Sequence, residues 1–483
     1  MDRWAAIMSR RFVIVGMAAA GLAAALGVLV RVLRGDAQPE AETCVPTRSD
    51  TGPAIWTSIE HQNPAPTVFP LHPIDGQRHL VDATGQPFLI VGDSAWSLLT
   101  QVTAEDAELY LTHRHAKGFN AVLVNLLEHR FADHAPANVY GDGPFKLEGD
   151  FSLPNDRYFD HAERVMRLAT AKGFLLLLAP AYTGAGGGDD GWYRQMEACG
   201  PDKLRDYGRY VGKRFGDLKN IVWVNVGDYN PPNKKLSQAV VEGIRETQPR
   251  SLHIAHNGPE MHGLGYWGAS EMPIAIDTLY TYAPVAAQAL LLARNRKTPY
   301  VLIESLYENE GNGTPLRTRI QAWQAVLSGA AGQVFGNNPI WCFGASVARP
   351  QPMPWKAALD SPGALSMSHL RNLLLSLPWF DLEPDSDQRL LVGGVLRGHF
   401  QAVAARSADG KLGIVYLPSP RVITIDMKQF VGGHVEARWF DPARGEFPDL
   451  GRQILPTSGR QEFSVPDCSR DGDWLLLLSG TAA

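Results

Sequence analysis

The sequence predicts an α/β chain, a (β/α)₈ TIM barrel followed by a small antiparallel β-sandwich, on three observations. Short apolar runs alternate with amphipathic segments through the middle of the chain, eight such runs can be counted, and after Trp379-Phe380 the texture changes to brief β-prone runs split by Gly, Pro and Asp. Continuous apolar strands are buried on both faces, as in a parallel sheet with helical crossovers. Eight units favour a closed barrel over an open sheet.

Taken in order, Phe88–Gly92 is the first strand, ending in Asp93-Ser94, and Thr103-Ala-Glu-Asp106 opens a helix to Lys117 with a capping-box start. Ala121–Asn125 pairs with a helix over Tyr158–Lys172 across a long insertion, Phe174–Ala179 with Leu204–Phe215, and Ile221–Val226 with Lys235–Thr247. Leu252–His256 and Ile274–Tyr280 read as strands without a clear helix after them. Tyr300–Glu304 precedes a helix at Leu316–Leu327, and Gly332–Gly336 one at Leu365–Leu375. Leu390–Val395, Phe400–Ala405, Lys411–Tyr416, Val422–Asp426, Val435–Phe440 and Asp473–Leu478 make the sandwich. The organisation expected is a signal or anchor over 1–36, a linker over 37–71, the barrel over 72–379 and the β-domain over 380–483. A chain ending near Pro384 stays folded if the barrel owns its core.

Composition excludes several classes. With 45% apolar and 20% charged residues among 483, most of the chain folds in water. The net charge of −5 and the lack of a basic run exclude nucleic acid as a partner. Cys44, Cys199, Cys342 and Cys468 are far apart and form no metal-ligand spacing, leaving one or two disulfides open. Phe12–Val30 is an uninterrupted apolar stretch after Ser9-Arg10-Arg11, in the style of a twin-arginine export signal. It serves either as a removed signal or as a single N-terminal membrane anchor, and the protein is expected to be exported, periplasmic or extracellular.

Barrel chemistry gathers at the carboxyl ends of the strands. Those ends carry Asp93 with Trp96, Asn125, Tyr182, Asp228 with Asn230, His256, Tyr280 with Tyr282, Glu304, and Asn337 with Trp341. Carboxylates move protons or attack an anomeric carbon, amides fork hydrogen bonds to hydroxyls, and aromatic faces cover sugar C–H faces. The set points to a carbohydrate as substrate. Asp228 after the fourth strand and Glu304 after the seventh are the catalytic candidates, while Asp93, Trp96, Asn125, Tyr182, Asn230, His256, Tyr282 and Trp341 are the candidate sugar contacts. Glu308 and Glu310 read as solvated loop carboxylates. His113 and His115 read as a helix surface, and His256 as a hydrogen-bonding group; no metal or organic cofactor and no obligate protein partner is called for. Gly186-Gly-Gly188 lacks phosphate-loop spacing and reads as a turn.

Leu80-Val-Asp-Ala-Thr-Gly-Gln-Pro-Phe-Leu-Ile-Val-Gly-Asp-Ser-Ala-Trp96 resembles the opening of the apiosidase-like glycoside hydrolases, where a G-D-T-A-W motif ends the first strand. Lys117–Asn125, Asn220–Pro231 and Ile303–Glu308 continue the resemblance over roughly His72 to Trp379. The rest is similar to the collagen-binding-type β-domain often fused to that barrel, a label that implies an accessory sandwich and not collagen binding. The resemblance implies a glycoside hydrolase with Asp228 and Glu304 as its catalytic pair. Two departures weaken any transfer of apiose specificity: His253-Ile-Ala-His256-Asn-Gly258 stands where relatives show Thr-x-His-Pro, and Ser305-Leu306 where a Pro is common. The fold-degenerate alternative, a non-catalytic carbohydrate-binding or cell-envelope protein, is disfavoured by the presence of both carboxylates. The expected outcome is retention with carboxylates ~5–5.5 Å apart, although the short Asp228 side chain could open the gap toward the ~6.5–9.5 Å of inverting enzymes.

Overall fold

Alternate residues of the barrel strands face opposite ways, and this parity sorts the core. In the computed structural model, which describes residues 65–481 apart from 296–297, 349–350, 450 and 468–471, the strands are β1 (Ile90–Ser94), β2 (Ala121–Asn125), β3 (Leu175–Ala179), β4 (Ile221–Val226), β5 (Leu252–His256), β6 (Asp277–Tyr280), β7 (Tyr300–Glu304) and β8 (Gly332–Phe335). Ile90, Leu123, Leu177, Val224, Ile254, Val301 and Val334 fill the barrel interior. Their neighbours Val91, Val122, Leu176 and Trp223 face the helices instead. All eight strands are parallel, in the order β5-β4-β3-β2-β1-β8-β7-β6. The seam between β5 and β6 is held by a single bridge, His253 to Ile274, and by the Thr278 hydroxyl donating to the Ala255 carbonyl at 2.5 Å.

Each strand leads into a helix: α1 (Ala104–Ala116), α2 (Asp156–Ala171), α3 (Tyr193–Arg214), α4 (Lys234–Thr247), α5 (Gly263–Glu271), α6 (Val285–Asn295), α7 (Pro315–Leu327) and α8 (Pro362–Leu375). Thr103, Thr314 and Ser361 cap α1, α7 and α8, and Pro315 and Pro362 open the last two. Two helices went unread in the sequence. α5 is interrupted at Gly268, and α6 reads Val-Ala-Ala-Gln-Ala-Leu-Leu-Leu-Ala, with too few polar residues to show a period. A small antiparallel sheet of His72–Pro73, Leu80–Val81 and Pro87–Phe88 precedes β1.

The C-terminal region is two antiparallel sheets. Leu382–Pro384, Val403–Ser407, Leu412–Leu417, Trp474–Thr481, His434–Phe440 and Gln453–Pro456 form one, and Leu391–Gly393, Ile423–Asp426 and Arg460–Phe463 the other. The first, seventh and eighth of these in chain order are short edge or polar strands that the hydrophobic pattern did not reveal. Ile425, Trp439, Phe463 and Leu476 pack between the sheets. The opposite face of the larger sheet, through Val403, Ile414, Tyr416 and Leu477, joins Ile320, Trp323 and Leu373 of the barrel helices in one continuous core. The helix layer of the barrel thus shares its core with the β-domain, whereas the barrel interior is filled by barrel residues alone. Cys199 and Cys342 are free thiols. Cys44, Cys468 and the Phe12–Val30 segment lie outside the described residues. No helix among the described residues is long and apolar enough to cross a membrane.

Candidate active site

The end of β4 carries Asp228 on an unusual backbone. Val226, Gly227 and Asp228 all have positive φ, at 76°, 128° and 42°. For a β-branched valine this is a costly conformation, of the kind kept where a side chain must be aimed. A Cβ on Gly227 would lie 2.2 Å from the Tyr182 ring, so only glycine lets that ring reach across. The Tyr182 hydroxyl donates to Asp228 Oδ2 at 2.7 Å.

Glu304 reaches the interior by a register shift. Val301 and Ile303 point inward, so strict alternation would send Glu304 outward toward the helices. Pairing with β6 slips between Leu302 and Glu304, which brings Glu304 level with Tyr280. Its carboxylate is buried and held by three donors: the Tyr282 hydroxyl on Oε1 at 2.8 Å, and His256 Nε2 at 3.2 Å and the Tyr307 hydroxyl at 3.3 Å on Oε2. Burial and the Glu304 charge push the Tyr307 phenol well above its ordinary range, so it stays a donor. Gly336 leaves room for that ring, since a Cβ there would lie 2.3 Å from it. Trp96 Nε1 donates to the Tyr307 oxygen at 3.0 Å, and Ser94 Oγ lies 3.1 Å from it.

His256 sits between the two carboxylates. Its Nδ1 accepts the peptide N–H of Asp228 at 3.2 Å, while Nε2 faces Glu304. Burial opposes a charge on this imidazole, but the Glu304 hydrogen bond and the Glu304 and Asp228 charges outweigh it and hold the ring above the ordinary histidine range. The geometry decides: an N–H already points at Nδ1, which leaves the single ring proton on Nε2. The edge of Trp96, 5.4 Å away at 87°, and the Tyr280 ring at 4.9 Å clamp the imidazole.

Oxygens of Asp228 and Glu304 and a ring nitrogen of His256 all lie within 4.8 Å of one another. In composition this donor set could ligate a divalent cation. The fit is poor, because a metal on Nε2 needs that nitrogen's lone pair, and the ring proton cannot move to Nδ1, at which the Asp228 N–H already points.

The remaining sequence candidates divide. Trp96 and Tyr182 border the carboxylates, their rings 5.8 Å apart, and Tyr282 touches Glu304 directly. Trp341 packs edge-on against Phe131 at 5.2 Å. Asn125 donates to Glu128 Oε2 at 3.2 Å, and Asn230 Oδ1 accepts from Asn257 and Gly258, pinning the loop after β4 to the loop after β5. Asp93 is corrected. Ile90 faces the interior while Val91 packs toward the helices, so by parity Asp93 points away from the barrel mouth, where it accepts from Arg114 Nε and the Tyr110 hydroxyl, both at 2.6 Å, at zero exposure. Glu308 is corrected too: it is buried and accepts from Ser361 Oγ, Asn337 Nδ2 and Gly363 N at the start of α8. Sequence reasoning missed Tyr307, three residues past Glu304 in an irregular loop, and Glu260, which accepts from Tyr282 N, Ala283 N and Thr281 Oγ1 and so shapes the loop that presents Tyr282.

A parallel eight-stranded barrel with carboxylates at the ends of β4 and β7 has the layout of a glycoside hydrolase. The chain belongs to the apiosidase-like family: the model for the apiosidase-like catalytic domain matches residues 74–381, and the model described as "Putative collagen-binding domain of a collagenase" matches residues 386–479. It is thus a glycoside hydrolase with an appended β-domain. Among solved structures it is similar to a glycoside hydrolase family 5 protein from Bacteroides vulgatus, with 20% identity and a TM-score of 0.74 over 85% of this chain and 93% of that one. A second structure, titled "Glycoside hydrolase", has 21% identity and a TM-score of 0.74 over 86% of this chain and 99% of the other. At such identities the likeness shows the fold. No curated protein matches the sequence.

Proposed function

We propose that this protein is a retaining glycosidase acting on an oligo- or polysaccharide, with Asp228 as acid/base and Glu304 as nucleophile. The observation that carries the reading is the placement of an Asp228 oxygen and a Glu304 oxygen within 4.8 Å, short of the ~6.5 Å at which a water fits between the carboxylates of inverting enzymes. In the first step Asp228 gives its proton to the glycosidic oxygen as Glu304 attacks the anomeric carbon. In the second, Asp228 takes a proton from the water that releases the sugar. Tyr182 orients the first carboxyl, and Tyr282, His256 and Tyr307 stabilise the charge of the second.

The test uses Glu304→Ala with whichever 4-nitrophenyl glycoside the native enzyme cleaves. Turnover is expected to vanish, and azide to restore it as a glycosyl azide of configuration opposite to the substrate. Activity without azide would overturn the assignment. Export is proposed from Arg10-Arg11 and Phe12–Val30. A folded reporter joined after Thr51 should leave the cytoplasm, and replacing the arginine pair by lysines should retain it there.

A further inference from the structure

We propose that His256 is a positioning residue: fixed as the neutral Nε2–H tautomer by the Asp228 peptide N–H, it saturates Glu304 Oε2 together with Tyr307 and leaves Oε1 as the oxygen that attacks. The proposal rests on Glu304 being the nucleophile.

The argument is one of lone pairs and protons. A carboxylate oxygen has two in-plane lone pairs. Oε2 receives two donors, His256 Nε2 at 3.2 Å and the Tyr307 hydroxyl at 3.3 Å, and has none to spare. Oε1 receives one, from Tyr282 at 2.8 Å, and keeps a lone pair for the anomeric carbon. Tyr307 has a single proton. Its oxygen takes the Trp96 N–H, and the charged Oε2 is a stronger acceptor than the Ser94 hydroxyl, so that proton goes to Glu304. In the covalent step the Oε1 lone pair forms the bond to the anomeric carbon, the glycosidic C–O bond breaks onto the leaving oxygen, and that oxygen takes the Asp228 proton. Oε2 becomes the carbonyl oxygen of the glycosyl ester with both donors still in place.

The same histidine ties the two carboxylates together. The backbone of the acid/base residue fixes the ring proton, and the ring proton fixes the nucleophile. The positive φ values at Val226, Gly227 and Asp228 then have a second consequence, because they aim the Asp228 N–H at Nδ1 as well as its side chain into the cleft.

Asparagine and glutamine separate the two halves of the imidazole. His256→Asn places an acceptor near Nδ1 but cannot reach Oε2, whereas His256→Gln places an N–H near Nε2. His256→Asn is expected to lower kcat/KM by about 10- to 100-fold, and His256→Gln to restore it to within about threefold. Tyr307→Phe, which removes the other Oε2 donor, should lower kcat/KM in the same direction. Equal losses for the Asn and Gln variants would overturn the proposal. Nitrogen-15 NMR of histidine-labelled native protein provides a readout that needs no variant to be active: a His256 ring bare at Nδ1 and protonated at Nε2 is expected, and a proton on Nδ1 would overturn it. Azide rescue of Glu304→Ala tests the nucleophile separately, so failure of the underlying reading is distinguishable from failure of this one.

Discussion

Arg319 of α7 and Asp473, at the start of the last β-strand, form a two-pronged ion pair with both side chains largely buried. Arg319 Nη2 donates to Asp473 Oδ1 at 2.7 Å and Nε to both oxygens at 3.0 and 3.1 Å, and the Tyr416 hydroxyl adds a bond to Oδ2 at 2.8 Å. Trp323 stacks on Tyr416 beside it at 6.2 Å. The barrel and the β-domain are thus welded by polar as well as apolar contacts. Removing one partner leaves the other charge buried and uncompensated, so Asp473→Ala is expected to cost about 3–5 kcal/mol of unfolding free energy. Denaturant titration measures it. By the same reasoning a chain ending at Pro384 should be insoluble or protease-sensitive, because Ile320, Trp323 and Leu373 would face water; a soluble, cooperatively folded barrel would show the shared core to be dispensable.

Asp93 offers a test of placement. Its partner Arg114 has no exposure and also donates to the Leu359 carbonyl at 2.9 Å while its guanidinium lies 4.9 Å from the Phe119 ring. Asp93→Ala should lower stability by about 3–5 kcal/mol, again through a stranded buried charge, and leave KM and kcat unchanged where the protein is folded. A raised KM at unchanged stability would put Asp93 back in the sugar cleft.

That test bears on what the sequence made legible. The eight strands, the β4 and β7 ends and the change of texture after Trp379 follow from apolar runs and turn residues, which are local signals. Side-chain direction follows from period two, and applied to Ile90-Val-Gly-Asp-Ser94 it would have turned Asp93 away from the cleft. The same rule applied to Tyr300–Glu304 would have discarded Glu304, because the slip that re-aims it depends on pairing with β6 and leaves no mark in β7 itself. Tyr307 and Glu308 sit in one irregular loop, one turned into the site and the other capping α8, and no periodicity distinguishes them. The His256 tautomer was beyond reach for a related reason: it is fixed by a backbone N–H on another strand end.

His253, three residues before His256 on β5, makes stability depend on pH. It is buried, with Ser251 Oγ at 2.9 Å and Asn225 Nδ2 at 3.3 Å, and burial together with the Arg245 charge lowers its pKa to about 3. The unfolded chain takes up the proton near pH 6.5 and the folded one does not until about 3. Stability therefore falls as the pH drops through that window, with a slope approaching about 1.4 kcal/mol per pH unit from this group, and the effect is absent above pH 6.5. His253→Gln should flatten the curve of unfolding free energy between pH 6.5 and 4.5 relative to the native protein. An unchanged slope would mean that His253 is protonated in the fold.

The two carboxylates of the cleft should separate by leaving group. With Asp228 as the proposed acid/base, its contribution depends on how much the departing oxygen needs a proton, whereas Glu304 as the proposed nucleophile serves every substrate. A nitrophenolate leaves unaided, so Asp228→Asn should keep most of the first step on nitrophenyl glycosides, while losing on the order of 10²–10⁴-fold on natural glycosides whose leaving alkoxide is strongly basic. The second step still needs a base for water, so the glycosyl-enzyme should accumulate and a burst of nitrophenol should precede slow turnover. Azide, which needs no base, should relieve that slow step. Proton NMR of the first-formed sugar from the native enzyme should show the anomer of the substrate. If the opposite anomer appears first, a water fits between Asp228 and Glu304 in the working enzyme and the two carboxylates open beyond the 4.8 Å within which their oxygens lie here; in that case Asp228→Asn would still discriminate between leaving groups, but the nitrophenol burst would be absent.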